Sequence, residues 1–309
     1  MRGRDMVASD APEDVDQPPI TVAEWERLNR PPRREALLRY RWRVFRFLRT
    51  SAPVSELQGQ EQVFRDAVVA TVAFNRPEMI EWQIHLVRRY LAEHESYIVF
   101  DNSNKGEARE AIRDLCRRQH VPYVALPKNR LVVSRSHGQA LNWIVRNFLP
   151  RFGPKLFGFI DHDIFPTEPF SIRARMEGKS LYGSVRRDTP TPGGWFLWPG
   201  FCFFDGSLLR RRLDFAPSYK FHMDSGGGNW PVLYRSIDPA LVRFAENKSL
   251  RFGAGHDQSE DFFMMVEGWL HVTNASNWRR QPVDRGEHIV ALLRQAGGPD
   301  QPDVKFEPI

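Results

Sequence analysis

The sequence predicts an α/β protein: a mostly parallel central sheet with helices on both faces, preceded by a helical N-terminal extension. Three observations lead there. From residue 66 onward, short apolar, β-branched runs alternate with helical patterns at close spacing, the signature of a doubly wound sheet. The 309 residues carry 41% hydrophobic and 12% aromatic side chains, enough for one large core. Beyond residue 170 the runs shorten and Gly, Pro and Asp separate them, which adds mixed or antiparallel strands in the second half.

Residues 1–20 read as a disordered tail. The stretch 21–29, "TVAEWERLN", reads as a short helix, with Thr21 at the N-cap and Glu24 three residues later in capping-box spacing. Residues 30–50 become helical after Pro32, with Leu37, Leu38, Val44, Phe45 and Leu48 on one broad face and Arg39, Arg43 and Arg46 on the other. Such a helix either packs on the main domain or rests as a basic interfacial helix on anionic lipid. This Arg-rich extension spans 21–62. The alternation then begins: strand "DAVVATVAF", helix "RPEMIEWQIHLVRRYLAEH" with Pro77 in its first turn, strand "SYIVFDNS", helix "EAREAIRDLCRRQ" and strand "VPYVAL". A further helix, "SHGQALNWIVRNFL", leads to the strand "LFGFI". Shorter strands "SLYGSV" and "GWFLWPGFCFF" follow.

The net charge of +6 favours an anionic partner: a phosphorylated substrate, a membrane surface or nucleic acid. Two cysteines, Cys116 and Cys202, stand in neither disulfide-framework nor metal-site spacing. The opening "MVASDAPEDVDQPP" is unlike a leader, and no run of about 18 apolar residues occurs, so a cytoplasmic protein is expected. Peripheral attachment at the inner face of a membrane is compatible with the basic helix.

Chemistry concentrates at "LFGFIDHDIFP", where an apolar strand ends in Asp161 and Asp163. Unpaired carboxylates at a buried strand end are costly, and open α/β sheets bind ligands at the carboxyl ends of their strands. In an extended segment alternate residues point the same way, so Asp161 and Asp163 converge while His162 points elsewhere. Two hard carboxylates without a nearby thiol suit Mg2+ or Mn2+. The competing reading is a capped strand end with Asp163 in a turn. Asp101 ends the second strand, so its carboxylate is expected in the same crevice. In "HMDSGGGNWP", glycines remove side chains where backbone approaches something closely, and Asp224, Gly226 and Gly227 are candidates for ligand binding, the competing reading being a flexible loop. Trp195, Trp198, Phe201 and Phe203 form either an aromatic wall for stacking a ligand ring or ordinary core strand.

From about residue 66 to 285 these motifs, in order, resemble a GT-A fold glycosyltransferase close to the family 2 type: "VATVAFNRP", "VFDNSN", "KNRLVVSRSHGQALN", "FIDHD" and "QSEDFF". The resemblance implies a single Rossmann-like domain over 63–285, with a nucleotide-binding half at 63–170 and an acceptor half at 171–285, followed by a tail at 286–309. It implies transfer of a sugar from a UDP- or GDP-linked donor to a hydroxyl of a glycan or lipid-linked acceptor. Asp101 would meet the base, Asp161 would bridge ribose and metal, and Asp163 would be the leading ligand of Mn2+ or Mg2+. Phe74, Asn75, Arg76, Asn129, Arg130 and Arg135 would line the donor, with Lys128 near the diphosphate; Trp198, Gly226 and Gly227 would face the acceptor, and Asp224 would bind an acceptor hydroxyl or the donor sugar. The third metal ligand would be His271, or else His288. The catalytic base would be Asp261, with Glu260 and Asp257 as alternatives and Ser259 capping the helix that the acidic pair begins. Chemistry agrees, because a diphosphate leaving group needs a cation and basic side chains, and the attacking hydroxyl needs a carboxylate to take its proton.

Other classes fit less well. Nucleotidyltransferases of similar architecture open with a glycine-rich phosphate loop, and "FNRPEM" contains no glycine. No nucleic-acid motif accompanies the arginines, so no nucleic-acid partner is expected.

Overall fold

The computed structural model describes residues 20–29, 34–52, 57, 62–92, 95–129, 131, 133–250 and 263–272. Helix α1 (Val22–Asn29) opens with the capping box. The Glu24 amide donates to Thr21 Oγ1 at 3.2 Å, and the Thr21 amide donates to Glu24 Oε2 at 2.9 Å. Helix α2 (Arg34–Arg49) follows. Then come β1 (Ala67–Ala73), α3 (Pro77–Tyr90), β2 (Glu95–Asp101), α4 (Gly106–Arg118) and β3 (Tyr123–Ala125). Helix α5 (Val133–Trp143) runs through a π turn at Ile144–Phe148 into α6 (Leu149–Phe152), and β4 (Leu156–Asp161) follows. The second half holds β5 (Ile164–Pro166), α7 (Ile172–Arg175), β6 (Leu181–Arg186), β7 (Phe196–Asp205), β8 (Val242–Phe244), β9 (Asn247–Leu250), β10 (Phe263–Val266) and β11 (Trp269–Val272).

Seven strands form the central sheet in the order β3-β2-β1-β4-β7-β6-β8. Among the seven described strands of this sheet β7 alone runs against the rest, pairing antiparallel with β4 and β6. This is the mostly parallel α/β architecture the alternation predicts, and the antiparallel element falls in the second half as expected. Every residue of β1 is buried, as a strand covered on both faces requires. Val68, Ala70, Phe157 and Phe159 face one core with Trp143 and Phe148, while Val69, Ile160 and Phe201 face another with Trp269. Four further strands make a small antiparallel sheet, β5-β11-β10-β9, at the end where Asp161 leaves the central one. Cys116 and Cys202 are both free and buried. No helix among the described residues is long and apolar enough to cross a membrane.

Two expectations change. The apolar residues of α2 do not share one face. Phe47, absent from the expected set, is 5% exposed in the main core, and it fixes the rotation of the helix. Tyr40, Val44 and Leu48 turn inward with it, whereas Leu38 and Phe45 join Trp42 in solvent. The second correction concerns the helix expected after Ser259. Residues from Phe263 on are strand β10, because their backbone pairs antiparallel with β9 on one side and with β11 on the other.

Candidate active site

Strand β4 reaches the carboxyl edge of the sheet and stops at Asp161. The chain does not continue extended, as the alternation argument assumed. Residues 162 and 163 make a turn, and Ile164 then enters the small sheet opposite His271. Two sets of hydrogen bonds to backbone carbonyls hold this turn. The Val272 amide donates to the Asp163 carbonyl at 2.8 Å, tying the turn to β11. From α3, the fully buried Gln83 donates through Nε2 to the carbonyls of Asp161 (2.8 Å) and Ile164 (2.7 Å). The Tyr97 hydroxyl donates to Gln83 Oε1 at 2.7 Å and so orients that amide.

The result is a cluster joining the two sheets. Ligand atoms of Asp161, Asp163 and His271 lie within 4.8 Å of one another. His271 Nε2 stands 3.6 Å from Asp163 Oδ1, with both side chains 10% exposed. Asp161 is 24% exposed, and His137, from the second turn of α5, brings Nε2 to 3.3 Å from Asp161 Oδ1. His162 is buried outside this set, and its Nε2 has no hydrogen-bond partner.

A bulge completes the wall. Strand β6 moves two residues, from Gly183 to Val185, while its β7 partners move from Cys202 to Leu197. The surplus falls at Trp198, Pro199 and Gly200, and bulges of this kind re-aim side chains beside sites. The Trp198 ring is thereby set 4.4 Å from the His271 ring, centroid to centroid. Gly200 faces Asp161, and a Cβ there would lie 2.5 Å from Asp161 Oδ2 as well as inside the Trp198 ring envelope. Gly200→Ala is therefore expected to displace Asp161 or Trp198 and to weaken Mn2+ binding about tenfold or more, by isothermal titration, with the fold intact. Phe201 and Phe203 are core residues, and Trp195 packs on Tyr234 and Phe244, so the structure leaves Trp198 for the crevice.

Burial pushes the Asp161 carboxyl above the ordinary carboxylate range; His137 opposes the shift and the like charge of Asp163 adds to it. An acid with a raised folded-state pKa keeps its proton longer in the native than in the unfolded chain. Without metal, stability therefore falls as pH rises from the ordinary carboxylate range through the raised value. Asp161→Asn removes that slope. The expected result is a metal-free variant that melts above the parent at neutral pH and no longer gains from added Mn2+, read by thermal melts in chelator and in Mn2+.

The nucleotide-side loops are built at the same edge. Asn75, at φ 55°, accepts through Oδ1 from the amides of Asn104 and Lys105 at 3.1 Å each. Its own amide donates to Ser103 Oγ at 2.8 Å, which locks the loop after β1 to the loop after β2. Phe74 is part-buried in that loop, and Arg76 pairs with Glu78. Asp101 does not open to the crevice. Its carboxylate is 0% exposed, accepting from the Ser103 amide (2.7 Å) and the Tyr123 hydroxyl (2.9 Å), with Arg109 Nε at 3.9 Å. Burial and the adjacent Asp101 charge push the Tyr123 hydroxyl far up, so it remains a donor. Asn102, next along the chain, keeps a buried Oδ1 without a hydrogen-bond partner.

Asn129 is turned onto its own loop, donating to the Ser136 carbonyl and accepting from the Leu131 amide. Arg135 donates to the Tyr219 hydroxyl and lies over the rings of Tyr219 and Tyr40. In the acceptor-side loop the glycines approach the protein's own backbone: a Cβ at Gly226 would meet the Leu197 carbonyl at 2.8 Å, and one at Gly228 the Asp214 carbonyl at 2.5 Å. Gly227 packs on Met223. Asp224, part-buried, accepts from the Ser225 amide at 2.7 Å. Arg130, Asp257, Ser259, Glu260, Asp261 and His288 lie outside the described residues. Phe263, the first described residue after the acidic pair, is paired with Val272, next to His271.

Sequence reasoning missed His137, Gln83 and Gly200. Gln83 left a signal, as the one amide among the buried residues of a helix that otherwise buries Met79, Ile80, Trp82, Ile84, Leu86 and Val87. Gly200 left a weaker one in the Pro-Gly pair within an apolar run.

No protein-family model and no curated protein matches the chain. Among solved structures it is similar to glucosyl-3-phosphoglycerate synthase from Mycobacterium tuberculosis, at 19% identity over 68% of this chain and 79% of that one, with a TM-score of 0.43. The same enzyme in complex with Mn2+, UDP and phosphoglyceric acid matches at 20% identity over 63% and 73%, with a TM-score of 0.41. The bifunctional glycosyltransferase WbbM matches at 11% identity over 58% and 38%, with a TM-score of 0.37. These likenesses are remote, and the site is assigned on its own geometry.

Proposed function

We propose that this protein is a metal-dependent glycosyltransferase of GT-A type, moving a sugar from a UDP- or GDP-linked donor to a hydroxyl of a glycan or lipid-linked acceptor. The observation that carries this reading is the convergence of Asp161, Asp163 and His271 at the carboxyl edge of the sheet, within 4.8 Å of one another. The donor set fits Mn2+ or Mg2+, with two hard carboxylates, one imidazole and no thiol. His271 turns Nε2 toward Asp163 Oδ1 at 3.6 Å, so an imidazole nitrogen stands with the two carboxylates as a third donor. When bound, such a cation stabilises charge on the diphosphate leaving group.

The chain's own residues supply the rest. Asp161 and Asp163 hold the cation end of the donor, and His137 fixes the Asp161 carboxylate from the opposite wall. Asp101 works from behind, holding the Asn102–Asn104 loop against Asn75 so that this rim meets the nucleoside. Arg135, braced by two tyrosines, would meet the donor phosphates, with Lys128 and Arg130 shortly before it in the sequence. Trp198 offers an aromatic face to a sugar ring, and Asp224 a carboxylate to its hydroxyls. The acceptor proton goes to Asp261, with Glu260 and Asp257 as the neighbouring choices.

Turnover of UDP- and GDP-sugars, followed by nucleotide release, tests the reading. Turnover that stops in chelator and returns with Mn2+ supports it. An equal rate with and without chelator would overturn it.

A further inference from the structure

We infer that the outward face of α2 docks this protein on an anionic lipid surface. Leu38, Trp42 and Phe45 recur at four- and three-residue spacing and so form one stripe along the helix. They are 76%, 63% and 46% exposed. The Trp42 and Phe45 rings stack at 5.7 Å, and the Arg49 guanidinium, one further step along, covers Phe45 at 4.5 Å. Arg39, Arg41, Arg43 and Arg46 are exposed on either side. The sequence of Arg34–Arg49 holds six arginines and a single acid, Glu35.

The helix cannot roll to hide this stripe. Its inward side is stitched to α5 through Phe47 in the core. The Trp143 indole donates to the Thr50 carbonyl at 2.9 Å, and the Asn147 amide donates to the Leu48 carbonyl at 3.1 Å. Exposed apolar rings favour an apolar phase, while guanidinium groups favour anions. A bilayer with anionic headgroups offers both within the depth of half a helix. A nucleic-acid backbone would engage the arginines and leave Leu38 and Trp42 in water. A second copy of the helix would set arginines against arginines. The inference stands independently of the activity proposed above, because its readout is binding.

The full chain is floated with vesicles of phosphatidylcholine alone and of phosphatidylcholine with phosphatidylglycerol. Binding is expected to the anionic vesicles only, and to fall as salt rises. Trp42→Ala with Phe45→Ala is expected to lower the partition about tenfold without moving the melting temperature, since both rings are exposed. Arg39→Glu with Arg46→Glu should lower it at least about tenfold by removing attraction. Equal binding to neutral vesicles, no binding to either, or binding that survives both pairs of substitutions would overturn the inference. So would a concentration-dependent dimer, or duplex binding without vesicle binding, that the same substitutions abolish.

Discussion

For the proposed transfer reaction, an Asp163→Ala chain is expected to turn over a nucleotide-sugar donor about a thousandfold more slowly than the parent, a loss of about 4 kcal/mol of transition-state stabilisation. It also fails to gain thermal stability from Mn2+. The substitution removes one of two carboxylates from the cluster while leaving the tie that positions the turn, because that bond joins the Val272 amide to the Asp163 backbone carbonyl. The fold should therefore persist. Removing a carboxylate also relieves like-charge repulsion on Asp161, so the metal-free variant should melt no lower than the parent. Loss of turnover with unchanged far-UV circular dichroism and melting temperature is the expected result; turnover within about threefold of the parent would remove Asp163 from the site.

Gln83→Leu should weaken Mn2+ binding about 10- to 100-fold although Gln83 touches no ligand atom of the cluster. The fully buried amide satisfies the carbonyls on both sides of the Asp-His-Asp turn, and leucine fills the space without donating to either. Two unpaired carbonyls cost about 1–3 kcal/mol each in stability, and the turn that aims the carboxylates loses its brace. Tyr97→Phe, which leaves Gln83 present but unoriented, should give the same change in smaller measure. A merely structural role would lower the melting temperature and leave Mn2+ affinity, read by electron paramagnetic resonance, unchanged.

The central sheet was legible because local periodicity encodes it. β1, β2 and β4 are strands of six or seven residues, each built on an apolar run, and helices lie between them. The pair Asp161 and Asp163 stood out for the same local reason, as charges directly after such a run. What the sequence did not reveal depends on contacts across long stretches of chain. Gln83 meets the turn from 78 and 81 residues away, and nothing near either partner announces the pairing. His137 meets Asp161 across two separate elements. The rotation of α2 was misjudged because apolar side chains lie all around it, and Phe47 decides which of them go inside. Asp101 was expected in the crevice because its strand ends there. Tyr123 and the Ser103 amide claim its carboxylate, an outcome fixed by tertiary contact and not by strand position.

The most direct measurement is calorimetric titration of UDP and GDP into the full chain, with and without Mn2+, alongside Asp163→Ala. If Asp161, Asp163 and His271 hold the cation end of a nucleotide donor, one of the two nucleotides binds the parent with Mn2+ present, binds far more weakly in chelator, and loses the Mn2+ effect in the variant. Nucleotide affinity that is the same with Mn2+, with chelator and in Asp163→Ala would contradict it.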